Sequence, residues 1–318
     1  MPSKLDQLKS MTTVVADTSD IESIKAYAPA DCTTNPSLIL KAAGMDSYKE
    51  LVEEAILWGV DRNIPTSRIA TRLCVNFGAE LTKLVPGRVS TEVDADLSFD
   101  VEGTVAQARS IIEDYADRGV GRERVLIKIA ATWEGIKAAA LLEKEDIACN
   151  LTLVFALAQA AAAAEAGVTL ISPFVGRILD WYVKNEGKTY SPETDPGVLS
   201  LKEIYAYCKG AGAKTIIMGA SFRNQGEIEA LAGCDSLTIA PALLDALAKD
   251  NGPLPRRLDP ASAKADAPAP MSLDEKSFRF LLNEDAMATE KLAEGIRVFS
   301  RDMKALRELV SQRLVMAA

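Results

Sequence analysis

Short apolar runs rich in β-branched residues alternate with helical periodicity along almost the whole chain. That rhythm constrains the fold more than any other feature. Eight runs read as strands, near 12–17, 32–35, 89–94, 125–130, 148–153, 169–174, 215–221 and 237–240. Helix signals lie between most of them. Residues 101–118 repeat apolar positions at helical spacing and end at Gly119. Ser200-x-x-Glu203 reads as a capping box opening a helix that stops near Gly210–Gly212. Strand–helix alternation implies parallel pairing through βαβ units. Eight such strands predict an α/β fold, a (β/α)8 barrel of the TIM type, with a doubly wound open sheet as the second possibility.

The spacing is uneven. Between Asn35 and Val89 there is room for two helices, over 47–59 and 67–84, so an extra helix follows the second strand. The stretch from Gly252 to Pro270 holds five of the 14 prolines and reads as an irregular surface segment. Beyond it, Ser272-x-x-Glu275 opens a short helix, and 285–315 reads as a long amphipathic one. A tail of that kind must pack on the barrel or on a partner subunit. With no composition shift to mark a boundary, residues 1–318 are expected to form a single domain.

Composition removes whole classes of chemistry. Among 318 residues there is no histidine, which excludes histidine bases, Ser-His or Cys-His nucleophile pairs and imidazole metal ligands. Proton transfer must run on carboxylates, lysine, tyrosine, cysteine or water. A net charge of −9 argues against nucleic-acid or anionic-membrane partners, without excluding a local basic pocket. The five scattered cysteines form no Cys-x-x-Cys motif and read as small buried residues in a reducing compartment. The first nine residues mix charge with apolar side chains and carry no signal-peptide core. Residues 147–164 are uncharged, but their Asn150, Thr152, Gln159 and many alanines read as a buried strand and helix ending at Gly167. A cytoplasmic protein without membrane contact is expected.

The parity of the strands locates the chemistry. In a barrel, alternate residues face the interior and the others face the helices. In Val125-Leu126-Ile127-Lys128-Ile129-Ala130, one lysine sits mid-strand among apolar neighbours, where its head has no easy route to solvent. Burial favours the neutral amine of a lysine, so Lys128 is a Schiff-base candidate. Ser90, Glu92 and Asp94 share one face of their strand, as do Asn150 and Thr152, and Thr33 and Asn35. Asp17 ends strand one. Barrel active sites lie at these C-terminal strand ends. Just past strands six and seven, Ser172-Pro173-Phe174-Val175-Gly176-Arg177 and Ser221-Phe222-Arg223-Asn224 place hydroxyls and arginine forks where barrels bind phosphate.

The same segments carry a family resemblance. Thr12–Thr18, Thr33-Thr34-Asn35-Pro36-Ser37-Leu38, Ser90–Asp94, Leu126–Ala130, Cys149–Leu153, Ile171–Trp181 and Met218–Asn224, in this order, resemble the transaldolases from about residue 4 to the C-terminal helix. The match is weakest over 252–270, and Ala131 stands where a serine is expected. The resemblance implies a transferase of the non-oxidative pentose phosphate pathway that needs no metal or organic cofactor. It would move a dihydroxyacetone unit from fructose 6-phosphate or sedoheptulose 7-phosphate to glyceraldehyde 3-phosphate or erythrose 4-phosphate. It implies Lys128 as the Schiff-base lysine, Glu92 as a proton shuttle through a water held with Thr152, and Asp17 as the base at the C4 hydroxyl. Asn35 and Ser172 would hold the dihydroxyacetone hydroxyls, and Asn150 would orient Lys128. Arg177, Arg223 and Ser221 would grip phosphate, and Phe174 would keep water from the imine. Thr33 and Ser90 complete the substrate-facing set, and a homodimer is implied. An aldolase that releases dihydroxyacetone fits less well, because such relatives carry glutamine and tyrosine in place of Glu92 and Phe174. A pyridoxal-phosphate enzyme could also use Lys128 and a phosphate site. An inactive barrel that binds sugar phosphates is the non-enzymatic reading, against which Lys128, Asp17 and Glu92 all stand intact.

Overall fold

A computed structural model describes residues 2–317, so the two ends of the 1–318 reading, Met1 and Ala318, lie outside the described residues. Eight parallel strands close on themselves in chain order: β1 (Thr13–Asp17), β2 (Asp31–Thr33), β3 (Val89–Glu92), β4 (Val125–Ala130), β5 (Cys149–Val154), β6 (Leu170–Pro173), β7 (Ile216–Gly219) and β8 (Ser236–Ile239). β8 returns to β1 with Val14 opposite Leu237, so no edge is left unpaired. This is the (β/α)8 barrel that the strand rhythm predicts, and each strand lies within two residues of its expected limits.

The helices are α1 (Lys4–Lys9), α2 (Ile21–Tyr27), α3 (Pro36–Ala43), α4 (Lys49–Asp61), α5 (Thr66–Thr82), α6 (Val101–Asp117), α7 (Trp133–Glu143) and α8 (Leu157–Glu165). After β6 come α9 (Val175–Glu186), α10 (Pro196–Gly210), α11 (Gln225–Ala230), α12 (Pro241–Lys249), α13 (Pro260–Ala265), α14 (Glu275–Glu284) and α15 (Ala286–Ala317). Four expectations need correction. Between β2 and β3 there are three helices rather than two, because Asn35 caps α3 and Pro36 occupies its first turn. Ser200 lies inside α10, which starts earlier: Asp195 accepts the Gly197 and Val198 amides, and Pro196 takes the first position. Ser272 is likewise not a cap, since Asp274 accepts the Ser277 amide at the start of α14. In both places an aspartate satisfies the open N–H groups, and the serine three residues before a glutamate is a coincidence of spacing. Within the irregular stretch 252–270, Asp259 and Pro260 start the short α13.

Period-2 alternation divides the barrel interior into layers. Val15, Leu126, Leu170 and Met218 form a small apolar cluster inside. Two residues further along β1, β4 and β6 stand Asp17, Lys128 and Ser172, in a polar layer at the C-terminal end. The intervening residues Ala16, Ile127 and Ile171 belong to the large core between strands and helices. The uncharged stretch 147–164 is β5 followed by α8, which ends before Gly167 at φ +71°. No helix among the described residues is long and apolar enough to cross a membrane.

α15 departs from the barrel repeat. Its amphipathic face packs across α3, α5, α9 and the end of β5. Met287, Ala288, Leu292 and Phe299 join Leu153, Phe155 and Phe174 in an apolar cluster at the mouth. Met303, Leu306 and Val310 pack with α3, α4 and α5. Arg307 forms an ion pair with Asp94, just past β3, and Ser37 bonds Asp302. The long C-terminal helix therefore lies over the C-terminal ends of the strands.

Candidate active site

The polar layer converges on Lys128. Its Nζ lies 3.1 Å from Glu92 Oε2 and donates to the Thr34 carbonyl at 3.2 Å. The two side chains come together because Glu92 and Lys128 are register partners on β3 and β4, both pointing inward. Lys128 and Glu92 are 5% and 7% exposed, so water screens their attraction little. Burial pushes the Glu92 carboxyl up and the Lys128 ammonium opposes that shift. Asp17 behaves the same way: burial raises it, while Lys128 and the hydroxyl of Thr33 pull it down.

Around this trio, hydroxyls and amides are paired with one another. Thr33 Oγ1 donates to Asp17 Oδ1 at 3.1 Å and lies 2.7 Å from Thr238 Oγ1 on β8. Asn150 uses both ends of its amide, donating to Ser90 Oγ at 3.1 Å and accepting from Ser172 Oγ at 2.6 Å. This holds the Asn150 plane next to Lys128, its register partner, although Lys128 itself ion-pairs with Glu92 and bonds the Thr34 carbonyl. Asn35 Oδ1 caps α3 by accepting the Leu38 amide at 3.0 Å, which leaves its NH2 group for a ligand. Thr152 Oγ1 is buried without a protein partner.

A cavity of ≈ 50 Å³ opens from Lys128 and Asp17 towards Arg177 and Ser221. Thr33, Asn35, Ser172 and Phe174 line it, together with Met218, Thr238 and Phe299. Two larger hollows of ≈ 650 Å³ sit at the opposite strand ends, beside Thr12–Val14 and beside Glu123–Arg124, and contain none of the polar layer. Position of reactive groups, not size, selects the site.

The ring of Phe174 meets Phe155 edge-on at 5.8 Å, and Arg177 stacks over Phe174 at 4.9 Å and over Phe299 at 5.5 Å. Burial lowers the Arg177 guanidinium, and the like charge of Arg223 adds to this, so the two arginines form one electropositive patch. Arg223 donates to Asp180 at 2.7–3.1 Å and to the Ser221 carbonyl at 3.0 Å. All thirteen candidate catalytic and substrate-facing residues thus lie at one end of the barrel interior or in the segments that follow β2, β6 and β7. Thr238, Met218, Phe299 and Asp180 were not foreseen. Thr238 stands on the inward parity of β8, a signal present in the strand pattern, whereas nothing local marks Phe299.

The family model described as Transaldolase/Fructose-6-phosphate aldolase matches residues 14–310. This chain belongs to that family. A transaldolase of Rhizobium etli is 61% identical over all of both chains, and one of Agrobacterium fabrum is 59% identical over all of both. One of Rattus norvegicus is 55% identical over all of this chain and 96% of its own. Such full-length similarity makes the chain an enzyme of the transaldolase type, a transferase, on a barrel of the family's kind.

Proposed function

We propose that the protein transfers a dihydroxyacetone unit from a ketose phosphate to an aldose phosphate through a Schiff base at Lys128. The observation that carries this reading is Lys128 Nζ, which lines the cavity while touching the Glu92 carboxylate at 3.1 Å. Passing the ammonium proton to Glu92 leaves a neutral amine beside a neutral acid, a cheap exchange where burial already raises the carboxyl. The amine attacks the donor C2 carbonyl, and the carbinolamine oxygen leaves as water after taking the proton from Glu92. The unpartnered hydroxyl of Thr152 fits a water that carries this proton. Asp17 then removes the C4 hydroxyl proton, the C3–C4 bond breaks, and its electron pair flows into the iminium to give an enamine. The aldose phosphate leaves as an aldehyde. A second aldose takes its place, the enamine carbon attacks it, and Asp17 returns the proton. Hydrolysis of the new imine releases the product and restores the lysine.

Each supporting group has a matching task. Asn35, Ser172 and Asn150 present hydrogen-bonding groups around the three-carbon unit, with Ser90 and Thr33 holding Asn150 and Asp17 in place. Arg177, Arg223 and Ser221 suit the ester phosphate of either substrate. Phe174 excludes water from the imine, so transfer outruns hydrolytic release. The donors are fructose 6-phosphate or sedoheptulose 7-phosphate, which places the enzyme in the non-oxidative pentose phosphate pathway. Borohydride reduction with fructose 6-phosphate, followed by peptide mass mapping, tests the chemistry. A reduced three- or six-carbon adduct on Lys128 is the expected result; an adduct on another lysine, or none, overturns it.

A further inference from the structure

Behind the two arginines lies a pair of acidic groups that this reaction does not use. Glu227, in the first turn of α11, is wholly buried, and Asp195, the cap of α10, is 2% exposed. Asp195 accepts amide hydrogens from Gly197 at 2.7 Å and Val198 at 3.2 Å, which favours its ionised form. Glu227 Oε2 accepts the backbone amide of Arg223 at 2.6 Å. Asp195 is close enough for its charge to raise the Glu227 carboxyl, and Glu227 Oε1 has no N–H or hydroxyl donor near it, as suits a protonated oxygen. Two carboxyls in contact and out of water hold one proton between them.

The loop fastened by this pair needs fastening. Ser221 has a left-handed backbone at φ +63°, a conformation that persists for serine only where its surroundings impose it. The constraints are visible on both sides. Gly176 donates its amide to the Ser221 carbonyl at 3.1 Å, and Glu227 takes the Arg223 amide two residues on. Asn224, next in the chain, accepts the Glu227 amide at 3.0 Å.

We propose that Glu227 is a positioning residue for phosphate-ester binding: its buried carboxyl, bonded to the Arg223 amide beside Asp195, holds the Ser221–Arg223 turn that aims the Arg223 guanidinium. This rests on the reading that Arg223 binds the ester. Ionising Glu227 sets two buried carboxylates against each other and adds a negative charge behind the anion, so both geometry and charge oppose binding. Asp195, the cap of α10, and Arg223 from its own loop are the charged groups that act on Glu227; Asp180 of α9 pairs with Arg223. Burial above all, with the Asp195 charge assisting against two backbone amides, brings the Glu227 carboxyl to about 7.

The test compares KM for fructose 6-phosphate, and inhibition by inorganic phosphate, between the unaltered enzyme and Glu227→Gln from pH 6.5 to 8.5. A glutamine accepts the Arg223 amide and donates to Asp195 without needing a proton. The ratio of the two enzymes cancels ionisation of the substrate itself. The unaltered enzyme is expected to lose phosphate affinity relative to Glu227→Gln as pH rises, by about fivefold, the low end of ordinary coupling between two sites. The kcat ratio should stay flat. Glu227→Ala should weaken phosphate binding at every pH; if it fails to fold, the glutamine ratio decides alone. A KM ratio that does not move with pH, or a change in kcat without one in KM, overturns the proposal. Arg223→Ala is the separate control. If it leaves phosphate inhibition unchanged, the ester-binding reading falls and takes this proposal with it; if inhibition is lost while the Glu227→Gln ratio stays flat, only this proposal falls.

Discussion

Lys128 Nζ and Glu92 Oε2 meet at 3.1 Å inside the barrel, on strands where they are register partners. The geometry makes Glu92 the natural first acceptor of the lysine proton. Glu92→Gln keeps the shape of the acid and removes that ability. It is expected to lower kcat by about 10²–10⁴-fold, the usual range for a positioned acid–base group, with a much smaller change in KM. Steady-state kinetics with fructose 6-phosphate as donor measures both; a kcat within about threefold of the parent would show that the proton goes elsewhere.

In the proposed sequence of steps Asp17 acts later, so its loss should separate two events. Asp17→Asn is expected to form the imine with fructose 6-phosphate and to stall before C3–C4 cleavage. Borohydride should then trap a six-carbon adduct on Lys128 while release of the aldose phosphate falls by about 10²-fold or more. Mass spectrometry distinguishes this from the three-carbon adduct of a competent enzyme. A three-carbon adduct in the variant removes Asp17 from the cleavage step.

Gly176, in the first turn of α9 beside Arg177, is where that turn touches the loop that carries Arg223. A Cβ there would sit 2.3 Å from the Ser221 carbonyl oxygen and 2.6 Å from Arg223 Cγ, and the first of these is backbone that cannot swing aside. Gly176→Ala should therefore push the Ser221 turn outwards. KM for either sugar phosphate is expected to rise by roughly tenfold, since a loss of about 1.4 kcal/mol in binding has that effect. Trapping at Lys128 with saturating substrate should persist. An unchanged KM would mean that the turn tolerates displacement.

Glu227 also makes a prediction about stability that needs no substrate. Its carboxyl is raised by burial from 4.5 to about 7 in the folded chain. Between those values the folded state binds the proton more than the unfolded state does, so stability falls as pH rises through the window. The loss by pH 8 is on the order of 3 kcal/mol. Glu227→Gln does not titrate, so its urea midpoint should gain on the parent's between pH 5 and pH 8. Parallel pH profiles for the two proteins would count against a shared proton in the fold.

Parity along the strands was enough to find Lys128, Glu92 and Asn150, because an inward polar residue in an apolar strand stands out against its neighbours. Asp17, Arg177 and Arg223 were legible from their places just at or beyond strand ends. The starts of α10 and α14 were misread because a serine–glutamate spacing looked like a cap, while Asp195-Pro196 and Asp274 supplied the real ones. Phe299 escaped for a different reason. Periodicity in 285–315 shows that one face of the helix is covered, but not by what, and only long-range packing sets it over Lys128 at 5.5 Å. The pairing of Glu227 with Asp195 was equally invisible, since the two lie on separate helices and neither interrupts an apolar run.

The helix that walls the cavity also fixes when the enzyme becomes complete during synthesis. All eight strands, with Lys128, Glu92 and Asp17, precede residue 240, whereas Phe299 and Arg307 come from α15, which follows them. Lys128, which lines the cavity, is covered by Phe299 only once the last helix is in place. The residues that would do the chemistry are therefore made first and the residues that cover them last.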